Sequence, residues 1–231
     1  ILRRLCKAKT FEKIEYKSKM AKQEQTQTNS KIPKFKIFDK YEIHNIEIKD
    51  PGLTTVINLK PKLIVKSAGR AIGYGKLGQT KINIVERLMN RLATAGHRGK
   101  KHKIEKGNAT GKYTKNMKIV LDAFELIEKR TQKNPVEVFV RAIENAAPRD
   151  EITVIEYGGA RYPQAVDVSP LRRVSLAIKY MVHGASDKAF NKKKTFAQGL
   201  ADEIIMAYEG NGESFALRKK NEAEKQADGA R

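Results

Sequence analysis

Cysteine is nearly absent: Cys6 is the only one in 231 residues. That excludes an intramolecular disulfide and a thiolate zinc cluster, and it fits a reducing compartment. Long apolar runs are missing too. Nothing approaches the roughly 18–20 residues that cross a bilayer, and the first residues hold no compact apolar core of the signal-peptide kind. The expectation is a cytosolic or organellar chain with no membrane partner. The four histidines, His44, His97, His102 and His183, lack metal-ligand spacing, and no nucleophile, base and orienting group stand together. No metal, cofactor, small-molecule substrate or catalytic residue is therefore expected, and the chain is read as not an enzyme. Acid is the last shortage, with 26 Asp and Glu against 47 Lys and Arg, for a net charge of +21. Such an excess is far beyond what solubility asks and repels itself in a compact state, so it points to a polyanionic partner, nucleic acid first.

What is present suffices for a core, since 40% of the residues are hydrophobic. Residues 1–31 are polar and Lys-rich and read as a flexible basic arm, within which Met20 is an expected natural start. From Phe35 to Val65, short β-like pieces (YEIHNIEI, TTVINL, LIV) broken by Pro51-Gly52 and Pro61 predict a small irregular β-rich lobe over 32–78. A helical body over 79–231 follows. In 80–94, Ile82, Val85, Leu88, Met89 and Leu92 recur at helical spacing, with Asn83, Arg87, Asn90, Arg91 and Thr94 opposite, which predicts core on one side and charge on the other.

The connection GHRGKKHKIEKGNATGKYTK, 96–115, keeps no helix or strand pattern and carries Arg98, Lys100, Lys101, Lys103, Lys106, Lys112 and Lys115. It reads as a loop that tracks phosphates, or else as a solvated linker. Met117, Val120, Leu121, Phe124 and Ile127 mark a second helix, and Val136, Phe139, Val140 and Ile143 a third. For the third, Asn134 is the expected N-cap, Pro135 the first helical residue and Glu137 the reciprocal partner. Ser169-Pro170 opens a helix that turns Leu171, Val174, Ile178 and Met181 inward and that Gly184 is expected to close. Thr195 opens another, with Phe196, Leu200, Ile204 and Ala207 on one stripe, and Ser214 a last charged one before a polar tail. No internal repeat occurs.

Residues 73–78, GYGKLG, match the glycine pattern of dinucleotide-binding folds and lie between the apolar LIV and a helix. A second parallel strand ending in an acidic residue should follow about 20 residues on, and GHRGKKHK stands there instead. A magnesium-binding phosphate loop fails as well, because Leu77 occupies the Ser/Thr position. The local physics still suits phosphate. Gly69, Gly73, Gly75 and Gly78 give pliable backbone beside a helix start, flanked by Arg70, Lys76 and Lys81.

Residues 151–168 form a predicted β-hairpin around Gly158-Gly159, apolar at its base (Val166, Val168) and polar toward its tip (Arg161, Tyr162, Gln164). Pro163 removes a ladder donor, which only an exposed ribbon tolerates. An isolated ribbon is marginal in water, so a projecting one implies docking, with Arg161 as phosphate ligand and Tyr162 as stacking surface.

The blocks VERLMNRL, EKRTQKNPVEVFVRAIENAAPR, YGGARYPQAVDVSPLRR, FAQGLADEII and SFALRKK run in order from about residue 32 to the end. They resemble the archaeal and eukaryotic form of the small-subunit ribosomal protein seven family, as does GRAIGYGKLGQTKINIVERL. The resemblance implies a mainly α fold, a helical bundle with a protruding β-hairpin, acting on cytoplasmic ribosomes. It implies binding to the three-prime major domain of small-subunit rRNA, a part in nucleating head assembly, and neighbouring head and platform proteins. Family roles would then place rRNA contacts at Lys76, Lys81, Arg87, Arg91, the basic loop, Arg149, Arg172 and Arg173. Gly158, Gly159, Arg161, Tyr162 and Gln164 would lie near exit-site tRNA and mRNA. A DNA-bending architectural protein using the hairpin as an arm is the alternative, and a nucleotide-dependent enzyme the third reading.

Overall fold

A computed structural model describes residues 36–43, 46–60, 77–98 and 111–231. The basic arm, Met20, the LIV piece and most of the glycine-rich and 96–115 segments lie outside those residues.

Among the described residues, six α-helices and one antiparallel ribbon make up the regular structure: α1 Ile84–Leu92, α2 Tyr113–Thr131, α3 Pro135–Ala146, β1 Asp150–Tyr157, β2 Ala160–Asp167, α4 Pro170–Ala189, α5 Phe196–Glu209 and α6 Phe215–Asp228. A 3-10 turn, Gly78–Lys81, leads into α1. The mainly helical class with a hairpin is as the sequence predicts. Helix α5 is the centre of the bundle and packs on α2, α3 and α4. Its predicted single stripe is too narrow, since Ala197, Gly199, Ala201 and even Glu203 are buried beside Leu200, Ile204 and Ala207 while Phe196 is only half-buried. Small residues make that position possible: a Cβ on Gly199 would lie 2.8 Å from the Ala185 carbonyl oxygen of α4. Tyr41 meets Phe124 edge to face and Phe124 meets Phe139 at a tilt through the centre, with centroids 5.9 and 6.2 Å apart.

The segment 36–60 is irregular as expected, but among its described residues it contains no strand. Its β content is two isolated bridges, Ile37 with Tyr41 and Asn58 with Asn83. The TTVINL piece fails as a strand because the Leu53 carbonyl accepts from Val56 N at 3.1 Å and Ile57 N at 3.0 Å, coiling the chain after the Pro51-Gly52 turn. Its apolar side chains Ile37, Tyr41, Leu53, Val56 and Ile57 join the helical core one by one. Polar clasps hold the strap down: the Lys49 amide donates to Glu144 Oε1 at 2.6 Å, and the Asn83 amide group to the Lys60 carbonyl at 3.0 Å.

Helix boundaries correct three further expectations. Asn134 caps α3 through Val136 N at 3.1 Å, yet its amide group donates to the Glu42 carbonyl at 2.6 Å, and the reciprocal capping box is found instead at Thr195 and Gln198. Helix α2 begins at Tyr113, so the carboxyl end of the predicted loop is helical. Gly184 does not close α4, which runs on to Ala189. It is a close-approach glycine, because a Cβ there would stand 2.7 Å from Glu203 Cδ and 2.8 Å from Phe215 Cβ. The last charged helix opens where predicted, since Ser214 is the N-cap of α6 and its hydroxyl accepts from Leu217 N.

The ribbon turns at Gly158 and Gly159 with φ of +58° and +82°, the two-residue turn that matches strand twist and that glycine adopts without strain. Only its foot is covered, by α6. The foot packs and the turn end projects as predicted, with Val168 buried and Tyr157, next to the turn, 82% exposed, but Val166 and the apolar Val154 and Ile155 farther out are exposed too. Beyond the foot neither face meets a second layer, so alternation along the strands sorts nothing inward there.

Candidate nucleic-acid interface

Helix α1 is short and capped by the buried Asn83, whose Oδ1 accepts from Val85 N at 2.9 Å. It lies against the middle of α4, and the expected split of core and charge breaks down there. Asn83, Glu86 and Arg87 are all buried along with the apolar residues. Arg87 is enclosed because α4 crosses over it: its guanidinium donates to Ser175 Oγ at 3.1 Å and toward the Val56 carbonyl at 3.4 Å. No carboxylate pairs with it among the described residues. Burial pulls its pKa down to about 10.

One turn on, Arg91 is half-buried, its pKa also lowered by burial, and its Nε has no hydrogen-bond partner. Facing it on α4 is Lys179, whose pKa is lowered first by burial and then by Arg91 and Arg172. A further turn along α4, His183 is buried and its pKa falls to about 4, first through burial and then through Arg98, Arg91 and Lys179, with Asp187 acting in the opposite sense. Burial first, and neighbouring cations after it, disfavour the charged forms of Lys179 and His183, and Glu151 and Asp187 offset this only in part, so the flank is one whose positive charge an incoming anion relieves. Lys81 before α1, Lys112 and Lys115 at the start of α2, and Arg149 before the ribbon are exposed.

Besides Arg87, three predicted contact residues are engaged with groups of the protein itself. Arg98 donates to Asp187 Oδ2 at 2.8 Å and the His183 carbonyl at 2.7 Å, and lies over the Phe215 ring at 5.7 Å. Arg173 donates to Asp50 Oδ2 at 2.8 Å and the Pro148 carbonyl at 3.2 Å, tying α4 to the strap, and this holds the Asp50 carboxyl below its usual range despite its burial. Arg172 is exposed but forms a two-pronged pair with Glu151, both distances 2.6 Å. In the ribbon, Arg161 approaches Glu156 across the strands at 3.7 Å, and Tyr162 and Gln164 are exposed. Arg70, Lys76, Lys100, Lys101 and Lys103 lie outside the described residues. Of the glycine motif only Leu77 and Gly78 are described, in the turn before α1, and the one sheet among the described residues is antiparallel.

Sequence reasoning passes over Lys179, although Arg172, Lys179 and His183 share one helical face at spacings of seven and four. It also passes over a second basic end, where Asp202 pairs with both Arg130 and Lys194.

The different placements of Arg172 and Arg173 separate two outcomes. Arg173→Ala is expected to destabilise the fold by about 1–3 kcal/mol in urea unfolding, since a mostly buried charged hydrogen bond is removed. Arg172→Ala, breaking an exposed pair, should cost at most about 1 kcal/mol. Equal losses would contradict the burial difference.

His183 makes stability depend on pH. Its folded pKa lies below that of the unfolded chain, about 6.5, so the unfolded state takes up the proton first and stability falls as pH drops from about 6.5 toward 4. Between pH 7 and 4.5, His183→Gln should lose about 2 kcal/mol less than the parent chain in urea titrations. Parallel curves for the two proteins would rule this out.

Comparison with known proteins agrees with this architecture. The model of the family described as ribosomal protein S7p/S5e matches residues 70–231. The chain is 52% identical over 198 residues to the small ribosomal subunit protein uS7 of Nanoarchaeum equitans, covering 86% of this chain and all of that protein. It is 42% identical over 195 residues to the uS7 of Archaeoglobus fulgidus, covering 84% of this chain and 94% of that one. The uS7 of Thermoplasma volcanium is 41% identical over 195 residues, again along its whole length. Matched by the family model over residues 70–231 and by relatives along most of its length, the chain belongs to the S7p/S5e family of ribosomal proteins, structural constituents of the small subunit rather than enzymes.

Proposed function

We propose that this chain binds the three-prime major domain of small-subunit rRNA through the flank formed by α1 and α4, and that it helps nucleate the head of the subunit. The observation that carries the reading is the run of Arg87, Arg91 and Lys179, beside a His183 kept neutral, with Arg87 buried and none of the three paired with a carboxylate side chain among the described residues. A folded protein holds such a field at a cost, and RNA phosphates offset it. Lys81, Lys112, Lys115 and Arg149 extend the flank, and the basic segments carrying Arg70, Lys76, Lys100, Lys101 and Lys103 continue it in the chain. Arg172 can exchange Glu151 for phosphate, whereas Arg98 and Arg173 support the surface from within.

The ribbon has a separate role in this reading. Its exposed Tyr157 and Tyr162, the Gly158-Gly159 turn, Arg161 and Gln164 reach toward exit-site tRNA and mRNA and toward neighbouring head and platform proteins. Co-sedimentation with small subunits in high salt, followed by crosslink mapping onto the RNA, tests the assignment to the head.

A shortened ribbon tests the division of labour. Deleting Val154–Tyr157 together with Ala160–Pro163 joins the paired residues Thr153 and Gln164 through Gly158-Gly159 and preserves the register of the foot. This variant is expected to bind rRNA with nearly the parent affinity and to retain exit-site tRNA poorly. A loss of rRNA binding as large as that of Arg91→Gln would show that the ribbon, not the helical flank, grips the RNA.

A further inference from the structure

We infer that the cavity between the turn Gly78–Lys81, α1 and α4 receives a single unstacked nucleotide, so that this flank reads one base as well as the backbone. The inference rests on the RNA-binding reading and narrows it to a site. The cavity is open on one side and has a volume of about 220 Å³. An apolar cavity of about 150 Å³ already admits a benzene ring, so a nucleobase fits here.

Its lining is divided in the way a base requires. Ile82 and Ile178, both buried, form an apolar floor for a ring face. Gln79 and Asn90 supply amides, which both donate and accept and so can match a base edge. Asn90 has no hydrogen-bond partner among the described residues, and Gln79 Oε1 is only loosely approached by Ser175 Oγ at 3.5 Å. The Arg87 guanidinium is pinned by Ser175 and the Val56 carbonyl, so a rigid cation is already in place for the nucleotide's phosphate, with Arg91 beside it. Binding to phosphates alone would be served by solvated lysines and would leave the floor and the two amides without a role. An acidic side chain of a neighbouring protein would satisfy the arginines but not the floor.

The full chain and a three-prime major domain transcript carrying single abasic sites provide the test, read by filter binding. One abasic position is expected to weaken the parent protein by about tenfold, the order of one stacked base. On the transcript abasic at that position, Asn90→Ala and Gln79→Ala should cause no further loss beyond the parent's, and neither variant should change the salt slope, because no charge is removed. Gln79 is exposed, so its variant keeps the test informative if Asn90→Ala is poorly folded. Losses that multiply between the abasic site and both variants, or abasic positions that are all neutral, overturn the inference while leaving RNA binding standing. Crosslinking of the cavity to a protein neighbour instead of RNA overturns it as well, and a parent chain that ignores the intact transcript overturns both readings together.

Discussion

Glu203→Ala is expected to destabilise the protein by about 3–5 kcal/mol, the usual result of removing one member of a buried ion pair. Glu203 is fully buried on α5. One carboxylate oxygen accepts from Ser214 Oγ at 2.7 Å and from Ala216 N at 3.0 Å, and the other pairs with Lys188 Nζ at 2.6 Å. The side chain thus caps α6 from outside, ties it to α5 and neutralises a lysine of α4. Truncation leaves the buried Ala216 amide and Ser214 hydroxyl without their acceptor and removes the partner of the partly exposed Lys188. Glu203→Gln keeps an acceptor and loses only the charge, so it should fall between the parent and Glu203→Ala in urea unfolding. The consequence reaches the ribbon, because α6 covers its foot: Glu224 accepts from the Arg149 amide at 3.1 Å, and Lys220 donates to the Asn145 carbonyl at 2.8 Å. Faster hydrogen exchange in both α6 and β1 should accompany the destabilisation. A change below about 1 kcal/mol would mean that α6 docks by its apolar residues alone.

Salt should act on rRNA binding more strongly than any single substitution. If about eight phosphates are neutralised, the logarithm of affinity falls against the logarithm of salt with a slope of roughly −6 to −7, which is several orders of magnitude across the physiological range. Replacing Arg91 and Lys179 with glutamine should make the slope shallower by about one for each phosphate that the variant no longer neutralises. Arg173→Ala should leave the slope unchanged while lowering the unfolding midpoint, because its guanidinium is engaged with Asp50 and Pro148. A nearly flat salt response of the parent chain would contradict the polyanion reading of its +21 charge. An equal change of slope from Arg173→Ala and Arg91→Gln would contradict the separation between supporting and contacting arginines.

Helix positions are legible from the chain alone wherever the physics is local. A 3.6-residue recurrence of Leu88, Phe124, Ile127, Phe139, Ile143, Ile178 and Leu200 marks faces that are all buried. Asn134-Pro135, Thr195 and Ser214 open helices because a cap needs partners only two or three residues away. Gly158-Gly159 predicts a tight hairpin for the same reason, and the surplus of positive charge is a property of composition. Gly184 misleads because the same residue serves a helix end and a close helix approach, and only the proximity of Glu203 and Phe215 tells them apart.

The arginines divide along the same line. Arg87, Arg91, Arg98, Arg172 and Arg173 look alike in their local settings, and the sequence places each of them at the RNA. Their fates depend on groups far away in the chain: Ser175 lies 88 residues from Arg87, Asp187 lies 89 from Arg98, and Asp50 lies 123 from Arg173. Periodicity and capping extend over a few residues, so they predict which segments are helical and that the whole seeks a polyanion. Which cations are held inside and which remain for a ligand is set by long-range packing of α1, α4 and the strap, since burial and pairing distance, not residue type, decide whether a guanidinium is available.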